Sequence, residues 1–419
     1  MQCFSDVEAD AASRTLTAGG GAYAKLVAQA AHAHGFVVPL GTAPTVGLGL
    51  LLQGGIGHFT RRWGLALDGV LSAKVVVADG RCLVASPTEN RDLFWALTGC
   101  GPNFGVVLSA AVAARPASPV RAAARVFVAR GAAPGGADEA CRRLLLSYAR
   151  AAASLPREAS ADCIIHYSKE GALCLGVYDY VLQVPHDSDA AQGAPDACSG
   201  VGLVGAAVDA VGAEVLPESV RDAVAASTLE LFDLEPYLAE QPRGTLLAPP
   251  AEMGWFVRAV FLPASWTADV TELLVGAVAS APCQHCYIHL QHAGGAVAER
   301  DAAETAFPAR SFEWSAVVTG CWPLGDDSAD RLEESCVAWV RATARALLPR
   351  SLGAYSTDLG PDPADAEFAP SAYGGAGHAT LARLAELKAE WDPRGVFTAG
   401  FPLAAAAAAA GCAGAGGPA

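Results

Sequence analysis

Positively charged residues are scarce in this sequence. Its 419 residues include 28 Lys and Arg against 43 Asp and Glu, which gives a formal net charge of −15. A surface of that sign repels polyanions, so the composition argues against a nucleic-acid partner and against binding to an anionic membrane. The sequence also lacks an uninterrupted apolar run long enough to span a bilayer. The first residues lack the basic and apolar regions of a signal peptide, so nothing in them indicates secretion.

The twelve cysteines follow no framework spacing, which suits a reducing compartment better than a disulfide scaffold. One pair, Cys283 and Cys286, forms a CxxC motif with His285, His289 and His292 nearby. A zinc site would need a second compact pair of ligands, and none follows in the sequence. The segment that begins at Cys286 also alternates like a strand, which would direct successive candidate ligands to opposite faces. The sequence therefore favours a structural role for these residues and predicts no metal site.

Hydrophobic periodicity places a series of short elements along the chain. Hydrophobic residues make up 52% of the sequence and charged residues 17%, so a chain of this length is expected to bury large cores in two or three domains. Asp79-Gly80 between two β-rich runs predicts a hairpin, and residues 186–200 read as a loop. Predicted strands cover 7–9, 14–18, 36–40, 74–78, 81–85, 106–114, 126–128, 164–167, 174–180, 257–262, 286–291 and 314–321; predicted helices cover 22–34, 90–97, 137–155, 268–279, 330–348 and 379–390.

Glycines recur in the stretch between Leu40 and Pro116, and the other segments of the chain are interpreted in relation to it. Glycine has no Cβ, so its backbone amide can approach a flat ring or an anion that a side chain would push away. Taken singly, each of these glycines would be an ordinary turn residue. The runs are Gly41-Thr42-Ala43-Pro44-Thr45-Val46-Gly47, Gly54-Gly55-Ile56-Gly57-His58, Arg62-Trp63-Gly64-Leu65, Asp92-Leu93-Phe94-Trp95-Ala96-Leu97 and Asn103-Phe104-Gly105-Val106-Val107.

This ordered series resembles the FAD-binding domain of the vanillyl-alcohol oxidase, or PCMH, type in its berberine bridge enzyme-like branch. Gly294-Gly295-Ala296 followed by Thr305 to Arg310, and Tyr373-Gly374 followed by Leu381 to Pro393, are similar to two later segments of that family. The resemblance implies an α+β fold with four parts: a partial PCMH-type FAD-binding domain in 1–117, an α+β substrate domain with an antiparallel sheet flanked by helices in 118–372, a segment in 373–403 that returns to the FAD domain, and a disordered Ala/Gly tail in 404–419.

The resemblance covers only the second half of the family's FAD-binding domain. In the family, a preceding β/α portion carries an arginine, two glycines and a histidine that help to hold the pyrophosphate of FAD. This chain is expected to lack that portion. Either the reading frame is truncated or the protein has lost part of its cofactor cradle, and both alternatives are open.

The resemblance implies an FAD-dependent oxidoreductase, a flavoprotein that takes a hydride from an alcohol, a sugar or a related C–H donor. Oxygen or another acceptor would then receive the electrons. Ala43 stands where bicovalent members have a flavin-bonded cysteine, so the FAD is expected to be non-covalent. Leu50 stands where glycine is usual and adds bulk near the flavin ring. The cofactor-binding residues implied by the family are Gly41, Thr42, Ala43, Thr45, Gly47, Gly49, Gly54, Gly55, Gly57, His58, Gly105, Val106 and Val107.

The resemblance places the catalytic base at Tyr355 or Asp358. Alcohol-oxidising members use a tyrosine of a Tyr-x-Asn-Tyr segment as a base; this chain reads Tyr355-Ser356-Thr357-Asp358, so that Asp358 stands at the place of the second tyrosine. Alkaloid-oxidising members use a glutamate, for which Glu299 is nearest by position, although its charged loop is more typical of a solvated side chain.

A second hypothesis belongs to another class of protein. The partial FAD domain is also consistent with a flavin-free relative that binds a ligand or is inactive. Gly400-Phe401-Pro402 supports this alternative, because the family has Asn-Gln-Asn at that place.

Overall fold

A computed structural model of the chain describes residues 4–118, 120–129, 136–168, 171–182, 214–215, 253–325, 329–365, 367–374, 379–398, 400–401, 403 and 407. The chain forms two compact units. Unit 1 comprises Met1–Ala117, Gly295–Phe312 and Leu352–Ala419, and unit 2 comprises Ser118–Gly294 and Glu313–Ser351. Among the described residues, no helix has the length and apolar character needed to cross a membrane.

Unit 1 begins with seven strands and four helices. The strands are β1 (Val7–Asp10), β2 (Thr15–Gly19), β3 (Phe36–Val37), β4 (Val70–Val76), β5 (Cys82–Ala85), β6 (Val106–Ala113) and β7 (Arg115–Pro116); the helices are α1 (Ala24–Ala33), α2 (Leu48–Gln53), α3 (Thr60–Trp63) and α4 (Arg91–Cys100).

An antiparallel sheet with the order β1-β2-β6-β4-β5 forms the centre of this part, while β3 and β7 pair separately. Leu16 and Ala18 on β2 are buried and Thr17 between them is exposed, the alternation expected where one face of a sheet covers a core. That core also contains Val27 from α1 and Leu52 from α2. The sheet and these two helices therefore enclose a common apolar layer beneath the glycine series.

Unit 2 is built on a seven-stranded sheet with flanking helices. Its strands are β8 (Val120–Val128), β9 (Ala159–Tyr167), β10 (Leu173–Leu182), β11 (Glu214–Val215), β12 (Met253–Pro263), β13 (Tyr287–His292) and β14 (Phe312–Pro323); its helices are α5 (Gly136–Ala153), α6 (Ala268–Ala279) and α7 (Ala329–Leu347). The strand order is β11-β8-β10-β9-β13-β14-β12. Every residue of β10 is buried, because this central strand pairs on both sides and α5 contacts it.

The chain then returns to unit 1 through α8 (Ala369–Tyr373) and α9 (Ala379–Trp391). The inner face of α9 consists of Leu381, Leu384 and Leu387, all buried, as the helical spacing predicts. Short 3₁₀ helices lie at Ala66–Gly69, Gly101–Asn103, Gly295–Val297, Ala302–Glu304, Leu348–Arg350, Ser356–Asp358 and Pro363–Asp365.

These elements confirm the predicted α+β fold. The predicted elements differ from the structure at their ends, and α2, α3, α8 and β11 were not predicted. The strand predicted at 36–40 shortens to Phe36–Val37, and the helix predicted at 90–97 extends to Cys100. The hairpin around Asp79-Gly80 forms as predicted, and Gly80 adopts the positive φ that the turn requires. The predicted loop at 186–200 and, apart from Ala407, the predicted disordered tail at 404–419 lie outside the described residues.

The predicted substrate domain, residues 118–372, is divided differently in the structure. Gly295–Phe312 and the chain from Leu352 onward cluster with unit 1. Long-range polar contacts explain this, because Arg310 pairs with Asp68 and Tyr355 bonds to Gly55. The order of the sequence alone does not show that these two segments pack with unit 1.

Candidate active site

Tyr355 lies against the glycine pair Gly54-Gly55. The backbone N–H of Gly55 donates a hydrogen bond to the phenol oxygen of Tyr355, at 2.8 Å. A Cβ added to Gly54 would lie 2.5 Å from the same oxygen, and the φ of Gly54 is +150°. Only glycine allows the ring to approach this closely. The structure thus brings together a residue predicted to be catalytic and two predicted to bind the cofactor.

The surroundings of Tyr355 favour its neutral form. The side chain is buried, and its ring meets the ring of Phe307 edge-to-face at 6.0 Å. Burial raises the pKa of Tyr355 above that of an exposed tyrosine; the Gly55 N–H opposes this rise, and the charge of nearby Asp358 adds to it. At neutral pH the phenol therefore keeps its proton, and its role as a base stays a prediction.

Asp358, the other candidate base, ends the short helix Ser356–Asp358. Its carboxyl group is half-buried, and its backbone N–H donates to the carbonyl oxygen of Tyr355 at 3.2 Å. Glu299 is exposed, in agreement with a solvated side chain.

Packing within unit 1 explains why several predicted cofactor-binding positions are glycine. An added Cβ would lie 1.9 Å from the Leu40 carbonyl oxygen at Gly57, 2.4 Å from the Ala66 Cβ at Gly55, and 2.5 Å from a Val75 methyl at Gly105. These contacts require glycine whether or not a ligand is present.

Gly47 and Gly49 are different. Both are exposed; an added Cβ would meet no atom within 4 Å at Gly49 and only the Ala22 carbonyl oxygen, at 3.9 Å, at Gly47. Together with exposed Thr45, they form a bare backbone ledge at the start of α2. The half-buried Thr42 and Ala43 lie in the turn that leads to this ledge.

Leu50 covers the first glycine of the series. Its Cδ2 atom lies 2.8 Å from where a Cβ on Gly41 would be, and both residues are half-buried. The bulk predicted at this position is therefore directed onto the Gly41 backbone. A ligand that reaches Gly41 must displace the Leu50 side chain.

The remaining predicted cofactor-binding residues lie at the borders of the series. His58 is half-buried and follows Gly57, whose N–H donates to the Thr60 hydroxyl at 2.8 Å. Val106 is exposed and Val107 is half-buried at the start of β6. Their contact with a cofactor stays a prediction.

The residues of this region fit a flavin at the ledge. The ledge at Gly47 and Gly49 offers side-chain-free backbone with open space above it, as a flat ring requires. Gly54 and Gly55 place the Tyr355 phenol against bare backbone beside it in the series. Ala43 has no sulfur, so a thioether to the flavin cannot form there.

A buried ion pair that the sequence motifs did not predict supports this region. The Arg310 guanidinium donates to both carboxylate oxygens of Asp68, at 2.9 and 3.0 Å, and to the Thr305 hydroxyl at 2.6 Å. The side chains of Arg310 and Asp68 are 5% and 3% exposed. The Thr305 to Arg310 segment carries part of the family resemblance, but nothing in its local sequence indicates Asp68 as the partner.

Unit 1 also contains a cavity of about 590 Å³ lined by charged and aromatic side chains. Arg383 lies over the Trp95 ring at 4.0 Å and donates to Asp92 at 2.6 Å. None of the predicted cofactor-binding or catalytic residues lines it. The lining residues are Leu67, Asp68, Val70, Pro87, Arg91, Asp92, Phe94, Trp95, Thr98, Arg300, Ala303, Glu304, Thr305 and Arg383.

The histidines that follow the CxxC motif pair with carboxylates inside the unit 2 sheet. His289 Nε2 lies 3.1 Å from Asp162 Oδ2. His292 Nδ1 accepts the Ala161 N–H at 3.1 Å, so its proton is on Nε2, which donates to Glu313 at 2.9 Å. Both rings therefore have structural partners within the strands.

Comparison with known proteins finds similarity to FAD-linked oxidoreductases in the N-terminal part of the chain. A family model described as an FAD binding domain matches residues 1–86. FAD-linked oxidoreductase OXR1 from Pyricularia oryzae is 44% identical over 117 residues, which cover 28% of this chain and 23% of that protein. The chain thus aligns with about a quarter of the length of the first curated relatives.

Solved structures extend the likeness of the fold to nearly the whole chain. The BBE-like 1 protein of Physcomitrella patens superimposes with a TM-score of 0.71 at 18% identity, covering 96% of this chain and 79% of that one. A carbohydrate oxidase from Microdochium nivale, solved with a substrate analogue, gives a TM-score of 0.68 at 23% identity, covering 96% and 80%.

The fold is that of the solved berberine bridge enzyme-like proteins, as expected for a chain with a PCMH-type FAD-binding domain. The match of residues 1–86 to an FAD binding domain, the similarity to FAD-linked oxidoreductases and the shared fold confirm the resemblance to berberine bridge enzyme-like proteins found in the sequence. FAD is the cofactor of that family's FAD-binding domain.

Proposed function

We propose that this chain is an FAD-dependent oxidoreductase that oxidises an alcohol, a sugar or a related C–H donor. The observation that carries the proposal is the contact of Tyr355 with Gly54 and Gly55, which sets a phenol beside the glycine series. Relatives named as a carbohydrate oxidase and a hydroxynicotine oxidase support a small-molecule substrate, with oxygen or another compound as the electron acceptor.

In this proposal, different residues orient the cofactor and transfer the proton. When FAD is bound, it supplies the hydride acceptor. The ledge at Gly47 and Gly49 orients the cofactor. Asp358, or Tyr355 after it has lost its own proton, accepts the proton that leaves the substrate hydroxyl, and the Gly55 N–H stabilises negative charge on the Tyr355 oxygen.

A visible absorption spectrum of the full chain, before and after acid precipitation, tests cofactor binding. We expect a flavin spectrum that moves to the supernatant, because Ala43 cannot form a thioether. Flavin that stays in the pellet would refute non-covalent binding. Anaerobic bleaching of that spectrum by a panel of sugars and alcohols then tests oxidation, and no bleaching by any of them would contradict the proposed substrate class.

The second candidate function is a flavin-free protein that binds a ligand. Two observations favour it: Leu50 covers Gly41, and burial keeps Tyr355 neutral. A chain that stays colourless after incubation with FAD would support this candidate and overturn the oxidoreductase.

A further inference from the structure

Three cysteine thiols converge in unit 2. Cys283 and Cys286 lie in the turn after α6, and Cys336 lies on α7. The sulfur atoms of Cys283 and Cys286 are 3.7 Å apart, and those of Cys286 and Cys336 are 3.6 Å apart. All three sulfur atoms lie within 4.8 Å of one another. The sequence showed only the CxxC pair, and the fold supplies the third thiol.

These separations match those of thiolates around one metal ion. A tetrahedral zinc–thiolate site with bonds of about 2.3 Å has neighbouring sulfur atoms about 3.8 Å apart. The two measured separations are within a few tenths of an ångström of that value. The three thiols also point toward one carbonyl oxygen, that of Cys321, at 3.0 Å from Cys283 and at 3.9 and 4.0 Å from Cys286 and Cys336.

The turn that carries the motif is held by a backbone hydrogen bond. The backbone N–H of Cys286 donates to the Cys283 carbonyl oxygen at 3.2 Å, which closes the turn. Cys283 is half-buried whereas Cys286 and Cys336 are buried, so an ion reaches the cluster from the side of Cys283.

We propose that Cys283, Cys286 and Cys336 form a three-thiolate site for a thiophilic cation, Zn²⁺ or Cu⁺. Three sulfur–metal bonds form, the three thiol protons leave to solvent, and no electrons are transferred. Three soft sulfur ligands select these cations over Mg²⁺ or Ca²⁺. The fourth position faces solvent, where exposed His285 lies next to Cys283. This site is independent of the proposed flavin chemistry, because all its residues belong to unit 2.

The rival interpretation is a redox pair. A CxxC disulfide needs only Cys283 and Cys286, and Cys336 would have no role in it. A metal site needs all three thiols. Cys336 therefore distinguishes the two interpretations.

The test uses the reduced full-length protein, titrated anaerobically with Co²⁺ as a spectroscopic probe for Zn²⁺. We expect one equivalent to bind, with a thiolate-to-cobalt charge-transfer band and the strong visible bands of four-coordinate cobalt, and one equivalent of Zn²⁺ to displace it. Cys336→Ser and Cys283→Ser should each lower the affinity at least about tenfold. Cys82→Ser, which removes an exposed thiol of unit 1, should bind as the wild type does.

Circular dichroism of each variant shows whether it folds. If Cys336→Ser unfolds, Cys283→Ser in the half-buried turn position carries the test. A parallel titration with Cu⁺ under a competing chelator shows which cation binds more tightly. Absence of the charge-transfer band in the folded wild type, or the same affinity in the wild type and in both cluster variants, would overturn the proposal. Mass spectrometry that finds a Cys283–Cys286 disulfide after mild oxidation, with no metal bound before it, would establish the redox pair instead.

Discussion

The phenol oxygen of Tyr355 accepts the backbone N–H of Gly55 at 2.8 Å, across 300 residues of sequence. This bond attaches the C-terminal return of the chain to the glycine series of unit 1. Replacing Tyr355 by Phe removes the acceptor and leaves a buried N–H. We expect a loss of about 1–3 kcal/mol in the free energy of unfolding, measured by chemical denaturation.

The control for this substitution is Tyr23→Phe, because Tyr23 is exposed and its hydroxyl has water available. If Tyr355 is also the base, Tyr355→Phe should lower kcat by about 10²–10⁴-fold in the FAD-loaded enzyme. A variant with wild-type stability would contradict the structural role, and one with wild-type kcat would contradict the catalytic role.

Gly49→Ala tests whether Gly49 contacts the ligand, because the substitution should leave folding intact. The added methyl meets no protein atom, and Ala favours the helix that Gly49 occupies, so the apoprotein should be unchanged or more stable by up to about 1 kcal/mol. If a flavin rests on the ledge, the methyl should weaken FAD binding by about tenfold, or about 1.4 kcal/mol, in a fluorescence titration.

Gly276→Ala is the matched control for the ledge. Gly276 also lies in a helix with open space around the added methyl, but in unit 2. The Gly276→Ala variant should bind FAD with the affinity of the wild type. Equal affinity in Gly49→Ala would show that the ledge does not hold the cofactor.

The buried Arg310–Asp68 pair should contribute strongly to stability. Arg310→Met leaves the Asp68 carboxylate buried without its guanidinium partner, and we expect a cost of about 3–5 kcal/mol in urea unfolding. The double variant Arg310→Met/Asp68→Leu should recover part of that loss, because it removes the uncompensated charge.

Arg300→Met tests an exposed pair of the same kind. Arg300 and Glu304 lie 3.1 Å apart with side chains 44% and 51% exposed, and we expect a change of at most about 1 kcal/mol. If Arg310→Met and Arg300→Met lowered the free energy of unfolding equally, burial would not explain the contribution of the Arg310–Asp68 pair.

The lowered pKa of Asp392 predicts that the stability of the protein depends on pH. Burial raises the pKa of this carboxyl, but hydrogen bonds from the Lys388 ammonium and the backbone N–H groups of Phe397 and Val396 together outweigh it, and the net pKa is below its usual range. A depressed pKa in the folded state gives stability that is present above the unfolded pKa, about 3.9, and is lost as the pH falls through the folded value.

Asp392→Asn should therefore cost about 2 kcal/mol at pH 7, since it weakens hydrogen bonds to a charged group. The difference from the wild type should shrink below about pH 4, where the wild-type carboxyl of the unfolded chain is protonated. Glu390→Gln, at an exposed position near the end of α9 and two residues before Asp392, is the control. A cost that does not change with pH would contradict the role of the ionised carboxylate.

Sequence patterns predicted most elements, and the reason is physical. Alternation along β2 and the spacing of Leu381, Leu384 and Leu387 on α9 each report burial of one face, which is a local property. The Asp79-Gly80 turn depends on backbone preferences of adjacent residues. Domain limits were predicted less well, because the return of Gly295–Phe312 to unit 1 depends on distant partners.

By itself the sequence determined the α+β class, the glycine series and the family resemblance, since these depend on local periodicity and on ordered motifs. Only the tertiary structure decided which residues meet. Tyr355 with Gly55, Arg310 with Asp68, and Cys336 with Cys286 are separated by 300, 242 and 50 positions. Packing and hydrogen bonding select such partners from the whole chain, and no pattern within a short window encodes the choice.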